Sequence, residues 1–169
     1  MSVCFIGHRY IERTKDLISS LKKTIIFLME KGETTFLFGS KSEFNKLAWE
    51  VVTQLKEKNS FINRVYVRSN FQDINKDYEE YLLNFFEKTY FPYKLKDAGK
   101  RSYIERNFEM IDKATYCIFY FDNNYLPPLK YKTAKSTRKS GTKIAYNYAL
   151  KKGKRIINLY KRKELTKVR

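Results

Sequence analysis

At 169 residues, 43% of them apolar, the chain has the size and composition of one globular domain, which excludes a disordered polypeptide. Two cysteines exclude a disulfide framework, and no apolar run approaches the roughly 20 residues that span a bilayer. The net charge of +17 is concentrated at one end: between Lys130 and Arg169, 15 lysines and arginines face a single acid, Glu164.

In chain order, Val3 to Ile6 is a short apolar run ending in Gly7, the pattern of a buried strand. Thr14 precedes a helix over about Lys15 to Lys31, where Leu17, Leu21, Ile25, Leu28 and Met29 recur at spacings of three and four. Gly32 stops that helix, and Thr34 to Phe38 forms a second strand, again ending in glycine, Gly39. Ser42 offers an N-cap for a helix through Leu55. Val65-Tyr66-Val67 is the third strand, within Arg64 to Arg68. Tyr78 to Tyr90 reads as a helix with Tyr81, Leu82, Phe85 and Phe86 on one side, stopped by Phe91-Pro92. A further helix covers Ser102 to Lys113, and Tyr116 to Phe121 is a long apolar strand. Asn123 to Ser140, with Pro127 and Pro128, reads as an exposed, mobile loop. Gly141 to Lys152 is helical, Arg155 to Tyr160 is the last strand, and a basic tail follows.

The alternation of strands and helices predicts an α/β fold, Rossmann-like, with a mainly parallel sheet and helices on both faces. One domain is expected over residues 1–160, with 161–169 as a basic C-terminal tail. Cys4 and Cys117 lie in the apolar runs and read as buried, reduced thiols. The N-terminus lacks a signal peptide's apolar centre, so a cytoplasmic location is expected, with no membrane association. The 14 Tyr, 13 Phe and 1 Trp exceed what one core can hold, and such rings favour interfaces, which predicts a homo-oligomer.

In doubly wound sheets ligands bind beyond the carboxyl ends of the strands. Three turns there place glycine beside hydroxyl and basic side chains: Gly7-His8-Arg9, Gly39-Ser40-Lys41-Ser42 and Ser140-Gly141-Thr142. The second and third lead into helices, whose unpaired N–H groups and dipole suit a phosphate. Neither a Walker loop nor the dinucleotide glycine fingerprint is present. His8, the only histidine, cannot build a metal site by itself, and no metal or cofactor is expected. Arg68, which follows the third strand, is a further ligand-binding candidate. Arg106, beside Asn107, is either a phosphate clamp or the partner of Glu105 or Glu109 on its own helix.

Val-Cys-Phe-Ile-Gly-His-Arg at the start, Phe-Leu-Phe-Gly-Ser-Lys-Ser-Glu-Phe-Asn-Lys-Leu-Ala at 36–48, Tyr-Ile-Glu-Arg-Asn-Phe-Glu-Met-Ile-Asp at 103–112 and Ser-Gly-Thr-Lys-Ile-Ala-Tyr-Asn-Tyr-Ala at 140–149 together resemble the SLOG superfamily. That group joins the DNA-processing protein DprA, the LOG phosphoribohydrolases and small Rossmann-like proteins. The resemblance, over about residues 2–160, implies a nucleotide or nucleotide-derived ligand at Gly7, His8, Arg9, Gly39 to Glu43, Arg106, Asn107, Ser140, Gly141 and Thr142. It also implies a sensing or sequestering role of the kind tied to phage–host conflict or stress signalling. LOG-type hydrolases carry a catalytic glutamate three residues after the threonine of the third turn, where this chain has Ala145. Glycosidic cleavage needs a carboxylate, and Glu43 is the remaining candidate, or else an ordinary first-turn acid. Binding is therefore favoured over turnover. Alternatives are DprA-like binding of single-stranded nucleic acid through Lys130–Arg169, and hydrolysis or transfer at the N-glycosidic bond of a nucleoside monophosphate using Glu43 and Arg106.

Overall fold

A computed structural model describes residues 1–126 and 140–161. It is an α/β structure with one six-stranded sheet: β1 (Ser2–Gly7), β2 (Thr35–Phe38), β3 (Asn63–Val67), β4 (Lys88–Tyr90), β5 (Tyr116–Tyr120) and β6 (Arg155–Asn158). The strand order is β4-β3-β2-β1-β5-β6 and every neighbouring pair is parallel. The chain winds outward from β1 through β2 and β3 to β4, then returns to the other side of β1 for β5 and β6. The order therefore reverses between β1 and β5, where doubly wound sheets open their ligand crevice.

Helices α1 (Lys15–Glu30) and α2 (Glu43–Lys56) cover one face; α4 (Ser102–Lys113) and α5 (Gly141–Lys151) cover the other, and α3 (Lys76–Leu83) lies against the β4 edge. The pleat divides β1 between two cores. Val3 and Phe5 join Leu21, Ile25, Leu28, Phe44 and Val52, while Cys4 and Ile6 join Met110, Ile111, Ala145 and Ala149. Cys4 and Cys117 stand opposite each other in register, both buried and free of disulfide. Side-chain caps start three helices, at Thr14 and Ser42 as the sequence suggests and also at Ser140: Thr14 Oγ1 accepts from Leu17 N–H, Ser42 Oγ from Asn45 N–H and Ser140 Oγ from Lys143 N–H. Among the described residues no helix is long and apolar enough to cross a membrane.

One expectation is corrected. Residues 78–90 are not a single helix: Asn75 caps a shorter α3 that ends at Leu83, and Lys88–Tyr90 is an edge strand. The apolar spacing of Tyr81, Leu82, Phe85 and Phe86 continues past the helix because Phe86 turns inward, stacking on Tyr66 at 5.1 Å. Glu87 then ties the chain to β3. Its N–H donates to Arg64 O, and its carboxylate accepts from Arg64 N–H at 2.6 Å and from the Arg64 guanidinium. Phe91-Pro92 thus follows a strand rather than a helix. Of the segment expected to be an exposed loop, residues 123–126 and Ser140 are described: Tyr125 N–H turns back to Asp122 O, and Ser140 caps α5. Residues 127–139 and 162–169 lie outside the described residues.

Candidate functional site

The three glycine turns meet at the carboxyl ends of β1 and β2 and the N-terminus of α5. They border a compartment of about 200 Å³, lined by Gly7, His8, Arg9, Ser40, Lys41, Ser42, Arg106, Asn107, Ser140, Gly141 and Thr142 among others. A second compartment, about 380 Å³, adjoins it and shares Arg9, Ser40, Lys41, Tyr103 and Arg106. It extends to Arg68 and the loop after β3. Of the residues singled out from sequence, all but Glu43 line one compartment or the other.

Arg106 stands at the junction. Four residues into α4, its side chain is 4% exposed. Nε donates to Asn107 Oδ1 at 3.1 Å and Nη1 donates to the Gly39 carbonyl. Gly39 has to be glycine for this approach, since a Cβ there would fall 2.5 Å from Arg106 Cδ. No carboxylate pairs with the guanidinium among the described residues. Glu105 goes instead to Arg101, and Glu109 goes to Lys94 and Lys113, so pairing within the helix is not what the structure shows. Burial pulls the Arg106 pKa down to about 10, which leaves it charged at neutral pH. With Arg9, Lys41 and Arg68, four cations line the second compartment, and among the described residues no acid lines either one. A buried cation without a counter-charge is costly, and a bound anion would relieve that cost.

The turns differ in what they leave open. At α2, Glu43 N–H donates to Arg9 O, Asn45 N–H to Ser42 Oγ and Lys46 N–H to Ser42 O. Asn45 Oδ1 also accepts from the Gly39 and Ser40 amides, and Asn45 Nδ2 donates to Phe5 O, which locks the turn to β1. Most amides expected to bind a phosphate there are already used. At α5, the Gly141 and Thr142 amides have no acceptor among the described residues, so this helix start is the open one.

His8 is a fixture of the crevice wall. Its N–H donates to Tyr120 O and its ring stacks on Tyr125 at 3.8 Å. Nε2 lies 2.9 Å from Asp122 N and 3.2 Å from Asp122 O, accepting from the one or donating to the other according to the tautomer, while Nδ1 is buried with no partner among the described residues. Burial lowers the His8 pKa to about 4, so the ring is neutral at pH 7. The side chain bridges the ends of β1 and β5, and a ring that is neutral at pH 7 suits a fixed structural contact better than a proton shuttle.

Glu43 lies outside both compartments. Its Oε2 accepts from Ile11 N–H at 2.9 Å, which fastens the loop after β1 to α2. Asp122, Tyr125 and Tyr103 were not foreseen. Tyr103 had a signal, since it precedes Arg106 by three residues and so shares its helix face. Tyr125 had none, because its place depends on the turn after β5. The basic residues Lys130, Lys132, Lys135, Arg138 and Lys139 lie outside the described residues. Among the described residues, no cluster of His, Cys, Asp and Glu could hold a metal.

No protein-family model matches the chain, and no curated protein matches its sequence.

Proposed function

We propose that the chain binds a nucleotide or a nucleotide-derived signal by its phosphate, as a sensor or sequestering protein. The observation that carries this reading is Arg106, a buried guanidinium at the junction of the two compartments with no carboxylate partner and no lining acid among the described residues. The phosphate would take the Arg106 Nη groups and the open Gly141 and Thr142 amides, with Lys41 and Arg9 at the rim. The combined cavity falls in the few-hundred-Å³ range of small-molecule sites. Ala145, 1% exposed, stands where the hydrolases of the resembled SLOG group have their glutamate, and Glu43 is engaged by Ile11. Both support binding rather than turnover. The SLOG resemblance adds a role in stress signalling or phage–host conflict.

Self-association belongs to the same proposal. Tyr81 and Phe85, exposed and with ring centroids 5.3 Å apart, lie on or beside α3 at the β4 edge, where Asp77, Glu79 and Glu80 outnumber Lys76, itself 3.8 Å from Glu80, on a chain of charge +17. The opposite edge, around Lys151, Lys154 and Arg155, offers a second copy the complementary charge.

The test is a thermal-shift screen against nucleoside phosphates, cyclic nucleotides and ADP-ribose, with product analysis of every hit. A shift with one nucleotide class and unchanged ligand supports the proposal. No shift with any of them contradicts it.

A further inference from the structure

The geometry points to a base-stacking site in the second compartment, with Phe71 as the stacking residue for a planar heteroaromatic base. This rests on the phosphate reading above and assigns the other half of the ligand.

Phe71 has φ +58°, alone among the described non-glycine residues in the left-handed region. A bulky side chain is strained there and persists only where its surroundings impose it. Arg68 imposes it. Its Nη1 donates to Phe71 O at 2.6 Å and to Gln72 O at 3.3 Å, folding the loop after β3 back on the strand end. Core packing does not offset the strain, because the Phe71 ring is 68% exposed. The fold thus holds a largely exposed phenylalanine in a strained conformation at the wall of the compartment. Strain of this kind collects at ligand clamps.

The neighbours fit a base. Tyr78 sits edge-on to Phe71 at 6.4 Å and 80°, positioned by the Asn75 cap of α3. Tyr66 and Tyr103 line the same compartment, so aromatic walls enclose it while the four cations supply charge. Ser69 and Asn70 add hydrogen-bonding groups of the kind that read base edges. A phosphate at Arg106 and a base at Phe71 would occupy one continuous space, because Arg106 lines both compartments. Stacking is tolerant of base identity, so Phe71 sets affinity for a base as such.

Isothermal titration of the full chain with AMP, GMP, CMP, UMP and ribose 5-phosphate tests the assignment. At least one nucleotide should bind the parent roughly tenfold or more tightly than ribose 5-phosphate. Phe71→Ala should bring that nucleotide to the ribose 5-phosphate level and leave ribose 5-phosphate unchanged. Phe71→Trp should retain the preference. Phe71→Gly should lose it as Phe71→Ala does, yet melt at a higher temperature than Phe71→Ala, because glycine removes the left-handed strain. A parent that binds ribose 5-phosphate and the nucleotides equally overturns the base site while leaving phosphate binding intact. So does a Phe71→Ala chain with undiminished nucleotide affinity. A parent that binds none of the five overturns the base site, and the phosphate reading falls with it only if cyclic nucleotides and ADP-ribose give no thermal shift either.

Discussion

Arg106 lies across Gly39, with Nη1 donating to the Gly39 carbonyl and Cδ only 2.5 Å from where a Gly39 Cβ would stand. The second glycine turn is therefore a saddle for an arginine from α4, and a phosphate-binding amide turn only secondarily. Gly39→Ala must push Arg106 out of place. The overpacking should cost about 1–3 kcal/mol in urea unfolding and abolish any nucleotide-induced thermal shift. Full retention of the shift would mean that Arg106 does not have to sit where it does.

His8 should make the protein acid-sensitive in a defined window. Burial holds its folded pKa at about 4, below the ordinary 6.5, so the unfolded chain takes up the proton first. The stabilisation is complete above pH 6.5 and fades as pH falls, by at most about 3 kcal/mol below pH 4. Glu87 and Glu109 lose their stabilising charge at lower pH still. Burial alone would raise both, but bonds from Arg64, and from Lys94 and Lys113, hold them below the usual carboxylate range. Urea unfolding between pH 7 and 5 should therefore show a slope that is absent in His8→Gln. Equal slopes would contradict the account.

Glu87 should decide whether the β4 edge exists. Its carboxylate holds both the Arg64 backbone N–H and the Arg64 guanidinium. Glu87→Ala should cost about 1–3 kcal/mol and release the amides of Lys88–Tyr90 to fast hydrogen exchange. Unchanged protection there would show that the strand pairs without its anchor.

Self-association should depend on salt and on the ring row at the β4 edge. Sedimentation at low ionic strength is expected to show species larger than a monomer, falling apart as salt rises. Tyr81→Ala with Phe85→Ala should give monomers under the same conditions. A parent that is monomeric at high concentration and low salt rules out this interface.

The strands β1, β2, β3 and β5 and the helices α1, α2, α4 and α5 were legible because each carries a strong local signal. Leu17, Leu21, Ile25 and Leu28 repeat with helical period, and Thr14 and Ser42 cap where caps belong. The β4 strand was not, because three residues carry little pattern and Phe85-Phe86 extended the helical spacing beyond Leu83. At the site, the glycines and Arg106 could be read, since glycine beside a strand end and a cation beside Asn107 are local features. Which amides stay open could not, because that depends on Asn45, Ser40 and Arg9 meeting across the fold. Phe71 gave no signal either, as its left-handed backbone is imposed by Arg68.

The most direct test of the cleft is calorimetric titration of the parent and Arg106→Gln with the nucleotide that gives the largest thermal shift. Losing a charged hydrogen bond to phosphate should weaken binding at least tenfold. Removing an uncompensated buried charge should leave the unfolding midpoint unchanged or raise it. Arg106→Gln that binds the nucleotide as tightly as the parent would contradict the account.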